Sequence, residues 1–574
     1  MFLQSRSALQ NLLLASAVAA VMALAPTLLH AQDDPTFEAG RVSSINGTVS
    51  VQPAGSDNWI QAYVNLPLGP GDRIYTDSDA RAEIQIGQTF VRIAHDSDVT
   101  FVDATPRAIN LGVAQGSAHI HIVALWPGQA EHVNTPSGSA TIAQQGDLRV
   151  DVLPDQGTAL FTDFLQDVFI SGAGGFGQHI ENGQALELAG SNPVVPQLLE
   201  PASPDGLDRW SQQRDQLVLN AASYRYVSPE IPGAAELDAN GEWLPGTDYG
   251  AIWFPTNVPA GWAPYHYGHW VNHAPWGWVW IEDESWGYAP FHYGRWVNFN
   301  GRWGWVPGPP AAHPAWSPAL VVFAGGIHFG GVGVSVWFPL GPGEAYRPWY
   351  PCSPRYIDQV NISNITESRV VHVQTTYVNI VNVTNVVYVN RTIGVTAMNH
   401  DDFAAGRSAA QVNVKIDVHQ LDHVTVLDRP EPKPTVASFG RAPARPVPVK
   451  TERPLLINEQ GKQVSAKPGA PPMEPPVRPA PPIRPIQGHP IANPANSVKP
   501  QPVIHPVTAQ PAKPAPEPSV KPEDKPMPEK TVEPPAKPAA QPEDKTAVKP
   551  ASKPESKPAP KAKDKTDKDK KDEK

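Results

Sequence analysis

The sequence predicts a mainly β chain of several modules that ends in a long Pro/Lys-rich tail. Three observations predict it. Short segments between residues 39 and 189 alternate apolar and polar side chains and are separated by Gly and Asp. Fourteen of the 17 Trp fall between residues 241 and 350, interleaved with Gly, Tyr and Pro. Of the 67 Pro, 36 lie from Pro430 onward, so whole-chain averages hide a folded part and a tail.

Residues 1–31 read as a secretory signal. Arg6 precedes an apolar run from Leu12 to Leu29, and Ala31 precedes the polar Gln32-Asp33-Asp34, so cleavage is expected after Ala31. No second candidate span follows, so no stable transmembrane span is expected after cleavage.

Residues 40–190 then read as a β domain. Val42–Val51 is a strand, turn, strand pattern around Asn46-Gly47. Arg81–Ile86, Thr89–Ile93 and His119–Val123 alternate in steps of two, as half-buried strands do. Many short strands with Gly-rich turns indicate a sandwich, barrel or strand solenoid. Residues 203–227 form a helical linker. Asp208–Leu217 lacks Pro and Gly, and Leu207, Trp210, Leu217 and Val218 are expected to share its apolar face.

In the aromatic window, 241–350, an internal repeat is visible. Trp262–Trp270 returns as Tyr288–Trp296, and Gly277–Trp280 returns as Gly304–Pro307. Trp beside Gly suits strands in which a large ring covers a neighbour's small residue. Residues 351–426 are rich in Val, Asn and Thr. Asn379, Asn382 and Asn385 fit neither strand alternation nor an amphipathic helix, and an irregular extended segment is expected. From 430 to 574, Pro removes amide donors and Lys resists burial, so a disordered tail is expected, serving as tether or solubiliser.

Two stretches carry a family likeness. Gly71-Asp72-Arg73-Ile74-Tyr75-Thr76-Asp77, with Trp59 before it and Thr135-Pro136-Ser137-Gly138 after, resembles the periplasmic domain of the FecR family over roughly residues 40–190. The segments His292–Trp296, Gly301–Gly308 and Trp337–Pro342 resemble the uncharacterised module often found after FecR-like domains in secreted bacterial proteins. The likeness implies a β-rich extracytoplasmic interaction domain and brings no catalytic residue. In iron-uptake members a cytoplasmic anti-sigma segment precedes the domain. Here the expected signal stands in that place.

The chemistry is sparse. A net charge of -11 does not suggest a nucleic-acid partner. The single Cys352 excludes an intrachain disulfide and a multi-thiolate metal site. His266, His269, His292, His313 and His328 cluster in sequence without ligand spacing, so no metal or cofactor is expected. Glu282, Asp283 and Glu284 beside Trp286 would need two carboxylates across a cleft to act as a glycosidase pair, and three adjacent acids read first as a turn. Gly325–Gly331 lacks the Lys of a phosphate cradle, and no Gly-x-Ser-x-Gly elbow is present. The best binding hint is aromatic: Trp270, Trp278, Trp296 and Trp305 are a possible ligand platform, or else a core built from rings.

These readings add up to an exported non-enzymatic interaction or scaffold protein, periplasmic or secreted, with an envelope protein or cell-wall polymer as partner. The alternatives are a peptidoglycan- or polysaccharide-binding protein and an extracytoplasmic signalling component related to FecR-type regulators.

Overall fold

Alternation along residues 40–199 builds two β layers, antiparallel except where Ala130–Asn134 runs parallel to Ala108–Gly112. The computed structural model describes residues 39–105, 108–165, 167–308, 314–329, 331–362, 388–423, 425–449 and 453–465. All fall in one compact unit. The expected signal (1–31), Asn379, Asn382, Asn385 and the tail from 466 onward lie outside these residues.

The chain passes repeatedly between the layers. One sheet runs Pro67–Leu68, Gly40–Asn46, Arg81–Ile86, Thr89–Ile93, the second half of Ala108–Ile122, Gly146–Leu153, Thr158–Asp163, Ala185–Ala189 and Val195–Leu199. The other runs Ile60–Gln61, Val49–Gln52, Arg73–Thr76, Ser97–Thr105, the first half of Ala108–Ile122, Ala130–Asn134, Gly138–Ile142, Val168–Gly172 and Phe176–Ile180. The 15-residue strand Ala108–Ile122 belongs to both and changes layer near Gly116, whose φ is 79°. The Asn46-Gly47 turn likewise carries the chain from one sheet to the other. Gly47 has φ 79°, and a Cβ there would lie 2.5 Å from the Asp79 carbonyl oxygen. Inward residues such as Ile84, Val91, Ile120, Val150 and Phe161 fill the space between the layers.

The helix Gly206–Leu219, α1, starts from a capping box. The Asp205 carboxylate accepts from the amides of Leu207 and Asp208, and Asp208 accepts from the Asp205 amide. The expected apolar face is only half right. Leu207 and Trp210 are buried, but Leu217 is 56% exposed, and the buried set continues through Asp208, Ser211 and Asp215. The reason is what α1 packs on. It lies on the first sheet's outward face, which is polar, so a polar helix face is the complementary one.

Residues 241–339 form short sheets around a single aromatic core. Gly241–Thr247, Gly250–Pro255, Arg302–Val306 and Arg295–Phe299 make one sheet. Gly268–His273 pairs Gly277–Glu282 as a separate hairpin. The register sets Trp270 opposite Trp280 in this hairpin and Trp296 opposite Trp305 in Arg295–Val306. Trp280 therefore corresponds to Trp305, where the sequence alignment matched Trp278 to it. The second hairpin turns more tightly, through Asn300 and Gly301, both at positive φ. A third sheet joins Val321–Gly325, His328–Phe329, Val332–Pro339, Thr396–Asn399 and Thr425–Leu427.

Two expectations change. Within 351–426 the described residues are not simply extended: Pro354–Ile362, His400–Ala404 and Ala409–Val412 are helical. Phe403 enters the aromatic core. The tail expected from 430 is also structured over its first described residues. Residues 430–449 and 453–465 form a strap that returns over the sandwich, through Gln61 N–H to Arg441 O at 2.8 Å and Ile457 N–H to Thr135 O at 2.8 Å. Pro in this stretch occupies positions that need no amide donor, so it does not prevent docking.

Candidate functional site

The polar face of the first sheet collects the chemistry. Glu83, Arg92, His119, His121, Asp147, Arg149 and Asp151 alternate with core residues and so all point to one side. Helix α1 lays Asp208, Arg214 and Asp215 over them. Glu83 is the hub. Its carboxylate accepts from Arg92 Nε at 2.8 Å, Arg214 Nη2 at 2.6 Å and Ser43 Oγ at 2.7 Å. Burial alone would raise its pKa, but the Arg214 and Arg92 guanidiniums outweigh it and bring it down to about 2. Arg149 meets Asp151, Asp205 and Asp208 at 2.8–2.9 Å.

Carboxylates outnumber guanidiniums in this seam, and an imidazole offsets part of the difference. Burial would depress the His119 pKa, yet its hydrogen bond to Asp147 and the Asp208 carboxylate 3.4 Å away hold it up at about 9, so it is cationic at neutral pH. Asp147 is lowered to about 2 against its own burial, through His119 and His121. His121, Asp147 and Asp215 have donor atoms all within 4.8 Å of one another, the geometry of a cation site. Asp215 is already paired to Arg92 at 2.6 Å and Asp147 to His119, so side chains fill the cationic places there.

At the N-terminal end of α1 the seam opens into a groove of ≈ 420 Å³, walled by Arg81, His95, Ser117, Arg149, Asp205 and Trp210. The Arg81 guanidinium lies 4.6 Å from the centre of the Trp210 ring. Alternation in the sequence marked these strands but not the polar face they share under α1. The signal present was a helix carrying Asp208, Arg214 and Asp215 beside strands carrying Glu83, Arg92 and His119.

The ligand platform is corrected. Trp270, Trp278, Trp296 and Trp305 are 0%, 5%, 1% and 0% exposed, so none offers a face to a sugar ring. Trp270 is ringed by Trp280, Phe323, Trp337, Trp349 and Phe403 at centroid distances of 5.2–6.2 Å. The indole N–H groups of Trp278, Trp296 and Trp305 donate to the carbonyls of Pro432, Pro290 and Tyr293 at 2.8–3.1 Å. Large rings against Gly produce this core: a Cβ at Gly294 would fall 2.3 Å from Trp305 Nε1.

The other sequence candidates do not converge. His292 is buried on Ser317 O at 2.8 Å, and burial drives its pKa down to about 3. His266 pairs with Thr396 and His269 with Asp283, His328 is exposed, and His313 lies outside the described residues. Glu282 is buried, holds Trp280 Nε1 at 2.9 Å and is pushed well above the usual carboxyl pKa by burial. Asp283 and Glu284 are exposed, so no carboxylate pair faces across a groove here. Cys352 is half-buried against the aromatic core.

Two comparisons find similar proteins. A family model described as "Family of unknown function (DUF6600)" matches residues 234–344, close to the aromatic window. Two crystal structures described as "a putative anti-sigma factor from Parabacteroides distasonis ATCC 8503" match at 8% and 9% identity, with TM-scores of 0.20 and 0.21. They cover 22% and 27% of this chain and 59% and 69% of their own, so the first is matched over less than two thirds of its length. No curated protein matches.

Proposed function

We propose that this chain is an exported, non-enzymatic interaction protein of the bacterial envelope, and that the groove at the open end of the charged seam is its recognition surface. The observation that carries the reading is the groove's charge state. Arg149 is matched by three carboxylates and Arg81 is stacked on Trp210. Such a surface has little spare cation for phosphate and suits an extended polar segment of a partner protein that hydrogen-bonds along the groove. The non-enzymatic half rests on the sequence, which carries no nucleophile elbow, phosphate cradle or metal-ligand spacing. The resemblance of residues 40–190 to FecR periplasmic domains supports recognition by the sandwich. Among the described residues no helix is long and apolar enough to cross a membrane.

A photo-cross-linking residue at position 81, with a control at exposed Leu153, tests it in the native host. A discrete adduct at position 81 alone, in the periplasmic or secreted fraction, is expected. No adduct at 81, or a chain confined to the cytoplasm, overturns the reading. Because the four rings are buried, purified cell-wall sacculus is expected not to retain the protein.

A further inference from the structure

The strap seats an aliphatic hairpin on the sandwich face opposite α1. Leu455–Ile457 pairs Gln463–Ser465, and this hairpin lies on the second sheet. Leu456 and Ile457 are 1% and 3% exposed. Leu456 Cδ1 occupies a notch made by the missing side chain of Gly112, 2.5 Å from where a Cβ would stand and beside Val102 and Thr100. Ile457 N–H donates to Thr135 O at 2.8 Å, so the strap adds a single bridge to the Thr135-Pro136-Ser137-Gly138 turn.

The fit is specific but light. Only one backbone bridge ties the hairpin's aliphatic strand to the sheet among the described residues, and Leu455 stays 53% exposed. Arg445 pairs with exposed Asp79 at 3.2 Å, which contributes little, and its half-exposed guanidinium lies 3.5 Å from Asp77. One contact opposes seating. Arg453 is half-buried, its Nη1 has no hydrogen-bond partner, and Arg73 is a like charge nearby. Burial and Arg73 work against its charged form more than the nearby Asp72 and Asp98 favour it. Leu456 and Ile457 favour the bound state, whereas Arg453 weakens it.

We propose that the Gly112–Thr135 notch is a docking site for an extended segment bearing two adjacent aliphatic residues, occupied by the chain's own residues 455–457 until a partner segment of that chemistry displaces them. The partner's segment pairs with Thr135 by its backbone and places a Leu-like side chain over Gly112, a form of strand addition. A segment without the basic residue at the Arg453 position binds more tightly than the strap. The proposal rests on the reading of this chain as an interaction protein, but it uses the opposite face of the sandwich from the groove at Arg81. Failure here leaves the result at position 81 untouched.

The test uses the full chain and a fluorescent synthetic peptide with the sequence of residues 453–465. Full-length Leu456→Asp, whose own strap no longer seats, is expected to bind the peptide at least ten-fold more tightly than the wild-type chain. A peptide carrying Arg453→Ala is expected to bind more tightly again. Equal binding to both chains, or none to either, overturns the proposal. Should Leu456→Asp fail to fold, hydrogen exchange on the wild-type chain decides. Excess Arg453→Ala peptide is expected to raise exchange within residues 455–465 of the chain, and unchanged exchange there overturns the docking site.

Discussion

Trp270 shows why residue identity alone left the aromatic window open. A Trp beside Gly on a strand gives the same pattern whether the ring faces solvent or core. What decides it is the arrival of Phe323, Trp337 and Phe403 from strands and a helix far along the chain, which no local period reveals. The ring has no exposed surface, so Trp270→Ala is expected to destabilise the folded unit by about 3–5 kcal/mol. Urea unfolding followed by far-UV circular dichroism measures this. A loss below about 1 kcal/mol would mean that the ring is not packed as described. At Gly294 the φ is 68° and no space exists for a Cβ beside Trp305. Gly294→Ala is expected to lower the midpoint through both strain and overpacking, by about 1–3 kcal/mol.

At the scale of elements, the strands were legible and their partners were not. Alternation at Arg81–Ile86, Thr89–Ile93 and His119–Val123 correctly separates core residues from outward ones. It says nothing of what covers the outward face, and here α1 does. A buried charged layer is costly to break on one side. Glu83→Gln leaves Arg92 and Arg214 facing a neutral amide and is expected to cost about 3–5 kcal/mol. The layer also gives the docking of α1 a definite pH dependence. Glu83 and Asp147 have folded pKa values lowered to about 2, so their contribution is present above their ordinary values near 4 and is lost as pH falls toward 2. His119 has its folded pKa raised to about 9. Its contribution is complete below its ordinary value of 6.5 and is lost as pH rises through 9. Hydrogen exchange of residues 206–219 is therefore expected to be slowest, after correction for intrinsic rates, between about pH 4.5 and 6.5 and to rise on both sides. His119→Gln is expected to abolish the alkaline limb and leave the acid limb in place.

Over the whole molecule, the sequence suggested two modules joined by a short helix, and the described residues add direct contact between the two stretches. Arg41 of the sandwich is fully buried and reaches Asn65 Oδ1 at 3.2 Å, Glu236 at 3.0 Å and Ser285 O at 2.9 Å. Asn65 donates to the carbonyls of Glu282 and Glu284. Asp72, from the Gly-Asp turn that carried the FecR likeness, accepts from the amides of Gly69 and Ala54 and holds His273 at 2.7 Å. The turn was readable because Gly-Asp marks it locally. Its second task was not, because His273 lies 201 residues away. These buried, charge-assisted contacts couple the two halves, so one half should not unfold without exposing unpaired groups of the other. Arg41→Ala removes contacts to three loops at once and is expected to cost about 3–5 kcal/mol. Its signature distinguishes coupling from a local defect. Trp fluorescence reports mainly on residues 241–350, while hydrogen exchange at Val91, Ile120 and Val150 reports on the sandwich. Both are expected to shift together in denaturant, with one midpoint, in the wild-type chain and in Arg41→Ala. Two separated midpoints in the wild type would show that the modules fold independently and that Arg41 is a surface accommodation between them.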